Sequence, residues 1–244
     1  MSTTVTITNT VERRENLDDE QLKLMAHDEC ILVNERDEIV GHTSKKDCHV
    51  WKNILKGDML HRAFSVFLLN ERGELLLQQR SHDKITFPLY WTNTCCSHPL
   101  HNEENESDGV QGVRLAARRK LEHELGIPQQ QIEVDRFEYM TRILYIAPFD
   151  ENWGEHEVDY CLVYKLKEGE VLTIKANENE IEDYKYVSKQ MLIDMMNDDK
   201  LLFTPWFKLI VEKFLFKWWD ALLAGESLES HKQPEIVHNM ITNT

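Results

Sequence analysis

Residues 92–99 read Thr92-Asn93-Thr94-Cys95-Cys96-Ser97-His98-Pro99. The run sets a thiol two residues from an imidazole in a segment with neither helical nor strand periodicity. A second cluster, Gly154-Glu155-His156-Glu157, precedes an apolar, strand-like stretch. On an extended segment two carboxylates two residues apart share a face, so Glu155 and Glu157 can reach one ion while His156 points away. A thiol, imidazoles and alternating carboxylates suit proton transfer beside a metal. Each residue also has a plainer reading. A free cysteine is most often a small buried hydrophobe. One histidine among eleven is most often a satisfied polar side chain, and alternating acids are most often a solvated edge. The conjunction, not any single residue, points to chemistry.

The elements that must carry these groups follow from pattern. Cys30-Ile31-Leu32-Val33 reads as a strand with Ile39-Val40-Gly41 as its hairpin partner. Residues 64–69 and 74–80 form strands around the turn Asn70-Glu71-Arg72-Gly73. Residues 81–106 are irregular over a length that is usually functional. Ser107 or Asp108 caps a helix to Leu125, with Val110, Val113, Ala117, Leu121 and Leu125 on one face, Gly126 at C′ and Pro128 beyond. Further strands are expected at 137–147, 158–166 and 184–187, and Ser188 caps a helix through Met191, Leu192 and Met195. Thr204-Pro205 opens a helix from Trp206 to about Leu223 that is apolar almost all round and should pack on more than one side. Asn16 or Asp18 caps a short helix through Met25. Residues 1–16 are expected to be a loose polar tail, 17–224 a single domain, and 225–244 a second frayed tail.

The 244 residues carry 28 Lys+Arg against 43 Asp+Glu, a net charge of −15 that argues against nucleic acid and acidic membranes as partners. An anionic metabolite would need a local basic pocket or a divalent cation. Five cysteines without a regular framework suit reduced thiols and a cytoplasmic home. No secretory leader is visible at Met1, and no stretch reaches the roughly eighteen apolar residues of a membrane span.

Arg119-Lys120-Leu121-Glu122-His123-Glu124-Leu125-Gly126-Ile127 resembles the Nudix box, Arg-Glu-apolar-x-Glu-Glu-x-Gly-apolar. Lys120 and His123 stand where two of its glutamates belong, and Asn105 and Gln111 replace the upstream Gly and Glu. Only Glu124 of the carboxylate set remains. The resemblance implies an α+β fold, an α/β/α sandwich with a mixed sheet flanked by helices, that has lost pyrophosphohydrolase chemistry. The other motifs resemble type I isopentenyl-diphosphate isomerases: 61–67, Leu77-Gln78-Gln79-Arg80, Lys84-Ile85-Thr86-Phe87-Pro88, the octapeptide with Leu100, 153–160, and Thr204-Pro205-Trp206-Phe207-Lys208. These run from about residue 22 to 223. Leu89-Tyr90 departs from members that place glycine after Pro88.

That resemblance implies isomerisation of a five-carbon diphosphate through a tertiary cation, with Cys96 and Glu157 as the two proton-transfer groups and their acid and base roles left open. It implies a divalent ion (Mn²⁺, Zn²⁺ or Mg²⁺) held by His49, His61, His98, Glu155 and Glu157, and a Mg²⁺ on the diphosphate reached by Glu124. Lys45, Arg80, Lys84, Lys120 and Ser97 become diphosphate contacts, with Arg80 gripping phosphate by its fork. Trp206 offers an indole face to the cation, and Tyr145 hydrogen-bonds the catalytic carboxylate. Cys95 points away, and Trp218 and Trp219 belong to the core. The small diphosphate is the expected partner and no oligomer is required. Two rival readings remain, a Nudix pyrophosphohydrolase and a metal module in which Cys96 and His98 are structural zinc ligands. The missing glutamates weigh against the first. The absence of a Cys-x-x-Cys pair weighs against the second.

Overall fold

A computed structural model describes residues 19–241. The expected N-terminal tail at 1–16 and the caps Asn16 and Asp18 lie outside the described residues. The elements run α1 (Asp19–His27), β1 (Glu29–Val33), β2 (Ile39–Ser44), α2 (Lys45–His49), α3 (Trp51–Ile54), β3 (His61–Leu69), β4 (Leu75–Arg80), β5 (Trp91–Thr92), β6 (Cys95–Ser97) and α4 (Gly109–Leu125). Then follow β7 (Glu138–Pro148), β8 (Gly154–Lys165), β9 (Ile181–Val187), α5 (Lys189–Met196), α6 (Pro205–Ile210), a π-helical turn (Val211–Leu215), α7 (Phe216–Leu223) and β10 (Val237–Asn239).

The sheet is mixed. Its main path is β10-β7-β8-β3-β1-β2, with β4 joining β3, β5 and β9, and β6 pairing with β3. β3 and β8 run parallel from His61↔Glu157 to Leu69↔Lys165, and all nine residues of β3 are buried. Burial on both faces is what a sheet covered by helices on each side requires. Phe64, Val66 and Leu68 of β3, with Val158, Tyr160 and Leu162 of β8, pack with Val113, Ala117, Leu121 and Leu125 of α4. Phe67, Leu69, Cys161 and Val163 point the other way, into a core with Trp206, Phe207, Ile210, Trp218 and Trp219. The α/β/α sandwich expected from the sequence is present, and both late tryptophans are core.

Three expectations change. The irregular stretch contains β5 and β6, so the octapeptide is partly strand. The helix from Pro205 to Leu223 is not apolar all round: Lys208, Glu212, Lys213, Lys217 and Asp220 form an exposed stripe, and a π turn interrupts it. Residues 225–241 are not a frayed tail. β10 adds in parallel to β7 at Val237↔Arg142 through Asn239↔Leu144, and Pro234 O accepts from Tyr139 Oη at 2.9 Å.

α4 stops where the sequence says. Gly126 has φ +62°, and a Cβ there would stand 2.2 Å from Lys175 O. Gly126→Ala is therefore expected to cost about 3 kcal/mol, combining a left-handed backbone with a clash against main chain. Urea unfolding measures it. A loss under about 1 kcal/mol would mean the 175 segment yields freely.

Candidate active site

Pairing of β3 with β8 sets His61 directly opposite Glu157, and strand parity puts Glu155 on the same face. α2 ends at His49 and β6 runs into His98, so four elements deliver five ligand atoms, all within 4.8 Å of one another and all on buried residues. His49 Nε2 lies 2.9 Å from Glu155 Oε2, and Glu157 Oε1 lies 2.8 Å from His98 Nε2 and 3.4 Å from His61 Nε2. His49 Nδ1 donates to Lys45 O at 2.6 Å and His61 Nδ1 to Met59 O at 2.9 Å. Those backbone bonds turn Nε2 of both rings toward the centre, the orientation a carbonyl on Nδ1 gives a ligating imidazole.

His98 Nδ1 is buried without a hydrogen-bond partner, and His61 Nε2 and Glu155 Oε2, also buried, meet only other members of the cluster. Burial alone would raise both carboxyls, yet the imidazoles around them hold Glu155 and Glu157 below the usual carboxylate range. Burial likewise opposes charge on His61, but its bond to Glu157 carries its pKa up to about 9. The cluster thus favours positive charge at its middle, and a hard or borderline divalent cation fits three imidazoles and two carboxylates. Gly154 lets this strand start tightly: a Cβ there would meet the Trp51 ring at 2.5 Å.

The octapeptide is held by its own polar residues. Thr94 Oγ1 accepts from Leu68 N at 2.9 Å and donates to Leu76 O at 2.6 Å, bridging β3 and β4 where they diverge. Asn93 Nδ2 donates to Cys95 O at 2.7 Å, and its Oδ1 accepts from Trp206 Nε1 at 3.2 Å. Thr92 and Thr204 share a 2.8 Å hydroxyl contact. β6 then pairs Cys96 with Ser65, while Cys95 turns into the α4 core. Tyr145 Oη donates to Glu157 Oε2. Burial and that carboxylate push the phenol well above its usual range, so it acts as a donor.

Cys96, Glu157, Glu155, His49, His98, Tyr145 and Trp206 all line one pocket with about 620 Å³ of atom-free space, as do Lys45, Arg80, Lys84, Ser97 and Glu124. Burial pushes the Cys96 thiol up to about 12, with Arg80 pulling the other way from 3.7 Å. The thiol keeps its proton at neutral pH. Arg80 differs from expectation. Its Nε and Nη2 are spent on Thr86 O (3.2 and 2.8 Å) and on Phe87 O (3.1 Å), leaving Nη1 toward Cys96 instead of a free fork. Its guanidinium stands 5.6 Å from the Trp206 ring centre.

Lys120 is buried and does not line the pocket. Its Nζ lies 3.5 Å from Glu124 Oε1 and 3.1 Å from His123 Nδ1. Leu89 adopts φ +63°, the left-handed conformation that glycine supplies elsewhere, and its N–H is fixed to Arg80 O at 3.0 Å. Thr92, Asn93 and Thr94 as scaffold, and Glu180 with Gln21 beside the lysines, escaped the sequence reading. A run of three small polar residues against a buried strand was the one available signal.

A NUDIX domain model matches residues 59–207. Isopentenyl-diphosphate delta-isomerase of Candida albicans is 50% identical, over 90% of this chain and 81% of that protein. The Schizosaccharomyces pombe protein of the same name is 49% identical, over 88% of this chain and 93% of its own length. Isopentenyl-diphosphate Delta-isomerase II of Clarkia xantiana is 49% identical, over 92% and 78%. The chain belongs to the isopentenyl-diphosphate delta-isomerase family. Within this family member the Nudix helix α4 keeps its stop at Gly126 and its arginine, Arg119, which grips Glu106 (Nε to Oε1, 2.6 Å). Lys120 and His123 replace box glutamates, so α4 does not offer a Nudix hydrolase's cluster of carboxylates. The cluster of ligand-type side chains lies instead where Glu155 and Glu157 of β8 meet His49 of α2, His61 of β3 and His98 after β6. No helix among the described residues is long and apolar enough to cross a membrane.

Proposed function

We propose that this chain interconverts isopentenyl and dimethylallyl diphosphate with Cys96 and Glu157 as its proton-transfer pair. The supporting observation is that a protonated thiol, a carboxylate held by a tyrosine, and an indole face line one pocket. Moving the double bond adds a proton at one carbon and removes one from another, so two groups must flank the chain. Cys96 reaches the pocket from β6 and Glu157 from β8. Trp206 and Tyr145, ring centres 6.1 Å apart, form the wall beside them. The indole face can stabilise a passing cation by up to about 2 kcal/mol, and the aromatic wall keeps out water that would capture it.

His49, His61, His98, Glu155 and Glu157 would hold the divalent ion, with Mn²⁺, Zn²⁺ and Mg²⁺ all compatible. That ion would supply charge that keeps Glu157 ionised and fixed in place. Lys45, Lys84 and Ser97 face the diphosphate, Lys120 acts from behind through its field, and Glu124 would share the Mg²⁺ carried by the diphosphate. Turnover in D₂O tests the reading. Deuterium is expected in both the dimethylallyl product and the recovered isopentenyl substrate, read by mass spectrometry. Label in neither, or release of phosphate in place of an allylic product, would defeat it.

A further inference from the structure

The pocket's cations gather around a carboxylate with no part in the chemistry above. Glu180, at the turn before β9, is 1% exposed. Its Oε2 takes an ion pair from Lys84 Nζ, and its Oε1 accepts from Gln21 Nε2 at 3.0 Å. The same amide donates to Asn179 O at 3.1 Å, so α1 is fastened to this turn. Burial works against the charge on Glu180, yet Lys84, Lys120 and Lys45 together hold its carboxyl well below the usual carboxylate range. Lys45 in turn is lowered by burial, Lys120 and Lys84, and supported by Asp28 and Glu180. Lys84 of the 81–90 loop thus holds Glu180 directly, while Lys45 of α2 and Lys120 of α4 act on it through their fields and pair with Asp28 (3.9 Å) and Glu124 (3.5 Å). Lys84 and Lys45 also line the pocket.

An incoming diphosphate must draw on an ammonium already committed to Glu180. We infer that Glu180 is a positioning residue that stands in for the diphosphate, holding Lys84 until phosphate oxygens displace it and repelling the bound anion afterwards. Without Glu180, the half-buried Lys84 ammonium would lose its anion and stand against the like charges of Lys45 and Lys120. With substrate in place, Glu180 becomes an unpaired like charge beside the diphosphate. Its effect is to keep the basic subsite assembled and to limit how tightly product is retained. The inference rests on the isomerase reading only in taking a diphosphate as the ligand.

Titration of Mg²⁺-pyrophosphate into the full-length protein by calorimetry tests it. Glu180→Gln keeps the shape of the side chain but removes its charge. It is expected to bind pyrophosphate about tenfold tighter than wild type, with KM and kcat for isopentenyl diphosphate falling together as product lingers. Glu180→Asp, which keeps the charge, is expected to return both toward wild type. Should Glu180→Gln not fold, Lys84→Met/Glu180→Gln removes both members of the pair. It is expected to bind pyrophosphate about tenfold tighter than Lys84→Met alone, in which the carboxylate is left unpaired. Equal or weaker binding in the charge-free variants overturns the inference. Failure of the isomerase reading shows separately, as absent turnover in wild type.

Discussion

Cys96→Ser is expected to fold, to hold its metal, and to lose turnover by about three to four orders of magnitude, the upper range for removing one positioned proton-transfer group. The fold is spared for local reasons. Cys96 is half-buried at the pocket wall, and β6 is held by main-chain pairing with β3 and by the bonds of Asn93 and Thr94. Its Sγ meets Arg80 Nη1 at 3.7 Å, and the other nitrogens of that guanidinium are fixed to Thr86 and Phe87. The five-residue ionic cluster does not include Cys96. A serine hydroxyl fits the space, but it is a far weaker proton donor to an alkene than a thiol, and a poorer group to carry the resulting negative charge. Metal content by elemental analysis and turnover by product chromatography are the measurements. Loss of the metal together with activity would make Cys96 a structural ligand and remove it from the chemistry.

What the sequence made legible was whatever depends on near neighbours. The αL stop at Gly126, the face of α4, and the shared side of Glu155 and Glu157 are consequences of helical and strand periodicity. Placement of Cys96 opposite Ser65 and of His61 opposite Glu157 is not, because it depends on register between strands far apart in the chain. Glu180 illustrates the limit. Asn177-Glu178-Asn179-Glu180 reads as a polar turn, and its partner Lys84 lies 96 positions away. Arg80 fails differently: its fork looked free because backbone carbonyls of a loop with left-handed Phe87 and Leu89 leave no trace in residue types. β10 escaped because Val237-His238-Asn239 is short and polar, and its pairing with β7 supplies what its pattern lacks.

Glu157→Gln separates holding the substrate from moving its proton. Glutamine preserves volume, and its carbonyl oxygen can still accept from Tyr145 Oη. What disappears is the negative charge and the basicity. His98 and His61 lie 2.8 and 3.4 Å from Glu157 Oε1, so an amide there also weakens the electrostatic grip on the ionic centre. Turnover is expected to fall by at least about 10⁴-fold. Mg²⁺-pyrophosphate binding should stay within about tenfold of wild type, because Lys45 and Lys84 belong to other elements and Lys84 is anchored by Glu180. Calorimetry for the ligand and single-turnover assays for the chemistry divide the two effects. If the ligand is lost in proportion to turnover, Glu157 serves assembly of the pocket. If turnover survives, the proton is moving through Tyr145 or a water, and the carboxylate only sets the field. The structure favours the divided outcome: the oxygen that meets the histidines and the oxygen that meets Tyr145 are different atoms of one buried side chain, while the lysines proposed for the diphosphate, Lys45 and Lys84, come from α2 and the 81–90 loop.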